Sequence, residues 1–183
     1  TADTLSAARN SPHLEIFKKK DIEVLLLTDR VDEWLVSHLS DYKDKHLQSV
    51  AKGQLDLGDL EDSADKEKVE QAAEEHKHLI ERVKAALGEA VKEVRVSSRL
   101  TESPACLVVD DYDMSQNLAR VLKQLGQDAP MPTPIIELNL EHPLLQRMDA
   151  DADEDQFGEL AKLVFDQALL AEGGQLADPA GFV

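Results

Sequence analysis

The chain has 183 residues, 42% of them hydrophobic, which is enough for one domain with a core or for one domain and a piece of another. Thirty-seven acidic residues against twenty basic ones give a formal charge of −17, which repels nucleic-acid phosphates and anionic lipid; at 4% aromatics, stacking platforms for bases are not expected either. No apolar run is long enough to span a membrane and no charged-then-apolar leader opens the chain, so a globular cytoplasmic protein with neither nucleic-acid nor membrane partners is expected.

Residues 1–50 read as helix, helix, strand, helix, strand. Ser11-Pro12 is an N-cap followed by proline in the first turn, and the helix it opens ends near Lys20, with Lys18, Lys19 and Lys20 complementing the negative end of its dipole. Ile22–Leu27 (IEVLLL) has the pattern of a strand covered on both faces. Asp29, with Asp32 three residues on, caps a helix that carries Val31, Trp34, Leu35, His38 and Leu39 on one side, and His46–Val50 returns as a strand. So short a stretch cannot enclose a core, so residues 1–50 are expected to be the end of a larger α/β domain.

Residues 51–65 lack periodicity and are rich in acids and glycine, the composition of a linker. From Lys66 to Gly88 the residues Val69, Ala72, Ala73, His76, Leu79, Ile80, Val83 and Leu87 recur at helical steps, predicting one helix that lies on a sheet and stops at glycine. Strands are predicted at Ala90–Ser98, Ala105–Val109 and Ile135–Leu140. Between the last two, Met114–Leu125 reads as an amphipathic helix, Asp113 and Gln116 making a capping box. His142-Pro143 opens a further short helix. A long one follows, opened by Asp153, Glu154 and Asp155 and stopped by Gly173 and Gly174. Its apolar positions Phe157, Leu160, Ala161, Val164, Ala168 and Ala171 form one stripe that Leu163, Leu169 and Leu170 widen, which predicts two faces to bury. Asp178-Pro179 announces one more helix that the remaining residues do not complete. The fold class is therefore α/β: a small α/β remnant, then an α+β unit with a helical end.

No catalytic or metal constellation stands above background. His76 and His78 point in different directions on a helix, and Glu74 with His78 supplies too few ligands. Asp149-Ala150-Asp151-Ala152-Asp153 imitates a calcium loop, yet Glu154 and Leu160 stand where glycine and glutamate belong. Asp110, Asp111 and Asp113 read as caps of the helix that follows, and Cys106, inside an apolar run, as a small core residue. What remains is surface: Trp34, and the stripe Met114, Leu118, Val121, Leu122 and Leu125, which faces either a core or a partner.

Specific strings then become informative. SPHLEIFKKKDIEVLLLTDRVDEW (Ser11–Trp34), VKEVRVSSRLTESPACLV (Val91–Val108), IIELNLEHPLL (Ile135–Leu145) and LVFDQALLAEGGQLADP (Leu163–Pro179) resemble, in order, the ninety-kilodalton heat-shock chaperones, in particular the bacterial HtpG branch. The resemblance implies an ATP-dependent, homodimeric chaperone. It places residues 1–50 at the end of a middle domain, 51–65 in an acidic linker, and 66–183 in a C-terminal dimerisation domain whose last helix is truncated. On that placement no enzyme activity, no catalytic or metal residue and no cofactor is expected of this chain, ATP and Mg belonging to the full-length protein. The family's client-contacting positions fall on Glu33, Trp34 and Ser37, the last in place of the usual asparagine, and on Met114, Leu118, Val121 and Leu122, which turns the stripe toward a partner. Its dimer interface falls on Leu160, Leu163, Val164, Gln167, Leu170 and Phe182. The implied partners are a second copy, unfolded or partly folded clients, and the seventy-kilodalton chaperone system. Two competing expectations are a dimeric scaffold or adaptor without clients, and a small-molecule enzyme built on Asp110–Asp113.

Overall fold

The computed structural model describes residues 1–55, 57, 63–127, 131–150 and 153–182. Among these, eight helices and two small sheets form a mixed α/β structure. The organising element is a three-stranded sheet in the order β3-β5-β4, made of β3 (Val94–Val96), β4 (Ala105–Val108) and β5 (Ile135–Leu138). The central β5 is parallel to β3, in the register Val94↔Ile136, and antiparallel to β4, in the register Leu107↔Ile136.

Side chains alternate across that sheet as a two-residue period requires. Ala105, Leu107, Ile136 and Leu138 point to one face and join Leu79, Val83, Leu87, Phe157, Ala161 and Val164 in the principal core. Cys106, Val108 and Ile135 point to the other and pack with Leu100. The first face is covered by α5 (Lys77–Leu87) and α8 (Glu154–Ala171), which cross it side by side. α8 starts where expected: Asp153 Oδ1 accepts the N–H groups of Asp155 at 3.0 Å and Gln156 at 3.1 Å. It stops as expected too, Gly173 at φ +72° allowing Gly174 N–H to reach back to Leu169 O at 2.8 Å. α7 (Pro143–Asp149) begins at His142 as predicted, its Nδ1 accepting from Leu144 N–H at 3.1 Å.

Several predicted elements differ. The single helix over Lys66–Gly88 is two, α4 (Ser63–Glu75) and α5, because His76 leaves helical geometry and places its Nδ1 3.0 Å from Asp149 Oδ2. The helical start at Ser63 also shortens the linker, of which residues 56 and 58–62 lie outside the described residues, as do Asp151, Ala152 and Val183. The strands are shorter than predicted, although single backbone hydrogen bonds run on past their ends, Ser97 N–H to Leu138 O at 2.8 Å and Asn139 N–H to Pro104 O at 2.9 Å.

The first fifty residues diverge most. Thr4 caps α1 (Leu5–Asn10), Ser11 opens one turn of 3₁₀ helix at Pro12–Leu14, and α2 (Glu15–Lys19) carries Lys18 and Lys19 in its last turn as expected. Ile22–Leu27 is not a strand among the described residues, since no strand runs beside it; Ala2 N–H donates to Leu27 O at 3.0 Å, and Leu25 is exposed. Asp29 is no N-cap: its N–H donates to Asp32 Oδ2 at 2.8 Å, and α3 (Asp32–His38) begins later. The predicted strand His46–Val50 is replaced by a two-residue hairpin, β1 (Asp41–Tyr42) with β2 (Lys45–His46), tightened by Lys43 and Asp44 at positive φ. Beyond it the chain meets the main sheet at a parallel bridge of Lys52 to Val109.

Candidate functional site

The two stretches singled out on resemblance are brought together. Glu33, on α3, is 3% exposed, and its Oε2 accepts the hydroxyl of Ser115 at 2.9 Å while Oε1 accepts from Thr1 Oγ1. Ser115 is the N-cap of α6 (Gln116–Gln124), its Oγ also accepting Leu118 N–H at 3.0 Å. One hydroxyl therefore caps one helix and donates to the other. This corrects the expected capping box on Asp113: the cap lies two residues later, and Asp113 N–H closes a turn on Asp110 O at 3.1 Å.

Around that joint the apolar side chains lie open. Trp34 is 51% exposed, with Val31, Leu35 and Val36 exposed beside it, so the predicted one-sided stripe of α3 is a surface and not a core face. Ser37 is exposed and donates to Trp34 O at 2.8 Å. On α6 and its flanks, Met114, before the N-cap, and Leu118 and Leu122 are half-buried and Leu125, at the C-cap, is exposed, whereas Ala119 and Val121 turn inward. Of the seven positions, Glu33 and Val121 therefore support the surface from beneath, and the other five reach it. Sequence reasoning missed the Glu33–Ser115 contact, since neither residue is apolar and they stand far apart in the chain.

α8 shows the expected two faces. Phe157, Ala161, Val164 and Ala168 are buried against the sheet, and Arg82 lies over the Phe157 ring with its guanidinium carbon 3.8 Å from the centroid. Leu160, expected at the dimer interface, is half-buried and packs against the same core, whereas Leu163 and Phe182 are half-buried, Gln167 is exposed and Leu170 is 45% exposed. Val164, expected at a subunit interface, is only 2% exposed within its own protomer and cannot serve there.

The acidic cluster does not form a site. Asp110 is paired with Lys92, whose ammonium is the main reason its carboxyl titrates below the usual carboxylate range, and Arg95 adds to the effect. Among the described residues no group of three His, Cys, Asp or Glu side chains could hold a metal, and no helix is long and apolar enough to cross a membrane. Cys106 is buried as expected; burial, seconded by the Glu137 carboxylate, pushes its thiol well above the ordinary range, so it is inert as a nucleophile.

A family model described as Hsp90 protein matches residues 1–183. The chaperone protein HtpG of Dechloromonas aromatica (strain RCB) and that of Aromatoleum aromaticum (strain DSM 19018 / LMG 30748 / EbN1) are each 60% identical over 183 residues, covering 100% of this chain and 28% of theirs. HtpG of Alkalilimnicola ehrlichii (strain ATCC BAA-1101 / DSM 17681 / MLHE-1) is 56% identical over the same span, again 28% of its length. The chain thus spans 28% of the length of these curated relatives. Two expectations are corrected by the match. "No enzyme" and "no cofactor" rested on setting this chain apart from the family's nucleotide-binding part, whereas the family model runs through the whole chain without such a division, so ATP and Mg cannot be struck from its account. The described residues do not by themselves build a site for them. A cavity of about 120 Å³ beside Arg120 and Lys52 falls short of the roughly 300–1,000 Å³ of cofactor pockets, and both cations there are engaged, Arg120 with Gly173 O and Asp3, Lys52 with Asp113 O.

Proposed function

From the premise that this chain belongs to the Hsp90 protein family, we propose that it acts in a cytoplasmic molecular chaperone, holding two copies together and offering unfolded or partly folded proteins an apolar surface. In this reading residues 1–50 end a middle domain, 51–65 link it onward, and 66–183 form a dimerisation domain. Leu160, Leu163, Gln167, Leu170 and Phe182 meet a second copy of the chain. The client surface is Trp34 and Ser37 on α3 with Met114 just before α6 and Leu118 and Leu122 on it. The seventy-kilodalton chaperone system is a further partner proposed on family grounds.

The observation that supports this best is the Glu33–Ser115 hydrogen bond of 2.9 Å, which binds two distant apolar stretches into one surface. A carboxylate buried under exposed apolar side chains is a costly way to build a core and a sound way to fix a platform. Each apolar side chain covered by a client contributes about 1.5–3 kcal/mol gross, and ordering the client removes much of that. Weak, promiscuous binding follows, as flexible methionine and leucine surfaces give.

The test replaces Trp34, Met114 and Leu118 together with serine and measures binding of a reduced, unfolded model protein. Affinity is expected to fall about tenfold or more while the melting temperature moves little, Trp34 being exposed and Met114 and Leu118 only half-buried. Unchanged affinity, or a loss of several kcal/mol of stability, defeats the reading. The scaffold alternative expects unchanged affinity and intact self-association from the same variant.

A further inference from the structure

We propose that Arg99 and Glu137 form a buried latch that fixes where the Trp34 segment lies relative to the sheet, and that the spacing of the two halves of the client surface depends on it. The second clause rests on the function proposed above; the first does not.

Arg99 is fully buried, and Glu137, on the second face of the central strand, is nearly so. The guanidinium forks onto the carboxylate, Nε to Oε2 at 2.8 Å and Nη2 to Oε1 at 3.2 Å, and Ser97 Oγ donates to the same carboxylate at 3.2 Å. The charge thus neutralised is spent on the chain crossing toward the linker: Nη2 donates to Gly53 O at 2.8 Å, and Nη1 to Val50 O. Arg99 also holds the other end of the same segment, because its own carbonyl accepts Ile16 N–H at 3.1 Å. Residues 16–50, with Trp34 between, are therefore pinned at both ends by one residue.

Stability alone does not account for this arrangement. Replacing a buried ion pair by well-packed apolar residues is often neutral or stabilising. What apolar residues lack is direction: they offer no donors to the Val50 and Gly53 carbonyls, which would leave the Lys52–Val109 bridge and the Glu33–Ser115 hydrogen bond to position the segment without them. Gly53 confirms how closely that position is set. Its φ of +56° is one that L side chains rarely adopt, so the backbone there takes a conformation that favours glycine.

Trp34 is the sole tryptophan of the chain, and Cys106 is buried, so a label on Leu125→Cys, at an exposed position, gives one donor and one acceptor for energy transfer across the surface. Arg99→Met with Glu137→Leu removes the pair without orphaning a charge. Arg99→Lys keeps the charge but loses the fork. In both variants the Trp34-to-label distance distribution is expected to broaden, and exchange of the Gly53 amide, which donates to Val109 O at 2.8 Å, to speed up about tenfold while the amides of β4 and β5 keep their protection. An unchanged distance and unchanged Gly53 exchange overturn the latch. So does a rise shared equally by all sheet amides, which marks the pair as a general stabiliser. Where the double variant fails to fold, Arg99→Lys decides by the same readouts. Unfolded-protein affinity is measured in parallel: a changed distance with unchanged affinity refutes the client reading and leaves the latch standing.

Discussion

The sheet with α5 and α8 and the segment bearing Trp34 are held by different means. In the first, strand alternation and two helical stripes meet in one continuous apolar core, and no single contact decides the structure. In the second, short elements bury only a few apolar side chains, Leu14, Ile16 and Phe17 among them, and lie on the rest of the protein through polar attachments: Glu15 to the 101–103 loop, Arg99 to residues 50–53, and Glu33 to Ser115. Bulk burial gives a region that must be damaged volumetrically. Polar attachment gives one that shifts as a body when a single group is changed, which suits a surface required to sit at a set distance from another.

The largest expected effect tests the first kind of stability. Phe157→Ala empties a fully buried site in the main core and removes the ring under Arg82, so a loss of about 3–5 kcal/mol in denaturant unfolding is expected. A loss below about 1 kcal/mol would mean that α8 is not anchored through its inward face.

Legibility in the sequence followed the same division. α8, α7 and the strands β4 and β5 could be read because their signals are local: an aspartate or histidine cap, a glycine stop, a period of two or of three to four. The break at His76 could not, since it depends on Asp149, which lies far away in the chain. Ile22–Leu27 has the composition of a buried strand, but a strand needs a neighbour to pair with, and composition does not carry that. Trp34 and the α6 stripe were placed on a surface by family resemblance alone, because periodicity gives the same stripe to a core face and to a docking face. The buried Arg99–Glu137 pair was missed outright: nothing in a one-dimensional pattern marks a charge as buried until its partner is seen.

An intermediate effect tests the second kind of stability, and does so through pH. Burial raises the Glu15 carboxyl, but hydrogen bonds from the Ser103 hydroxyl and from the backbone N–H groups of Glu102, Thr101 and Ser103 together outweigh it, so it titrates below its ordinary value of 4.5. A carboxyl lowered on folding adds stability that is whole above its unfolded value of 4.5 and is lost as pH falls from there through the folded value. Because Glu15 is partly open to solvent the contribution is modest. Glu15→Gln should cost about 1 kcal/mol at neutral pH and almost nothing in acid, flattening the acid limb of the stability profile. A constant difference across that range would show that the carboxylate charge is not what attaches α2 to the 101–103 loop.

The smallest effect on stability is expected on the outward side of the helix that Phe157 anchors. Leu170 is exposed, so Leu170→Glu places a charge in water and should change unfolding free energy by less than about 0.5 kcal/mol. If that side meets a second copy, however, the same charge has to be stripped of water without a partner, and in a two-fold interface the substitution enters twice. Sedimentation should then show self-association weakened by about tenfold or more with the protomer intact. An unchanged association constant would move the dimer contact away from α8, and the two faces of that helix would differ only in what covers them within one chain.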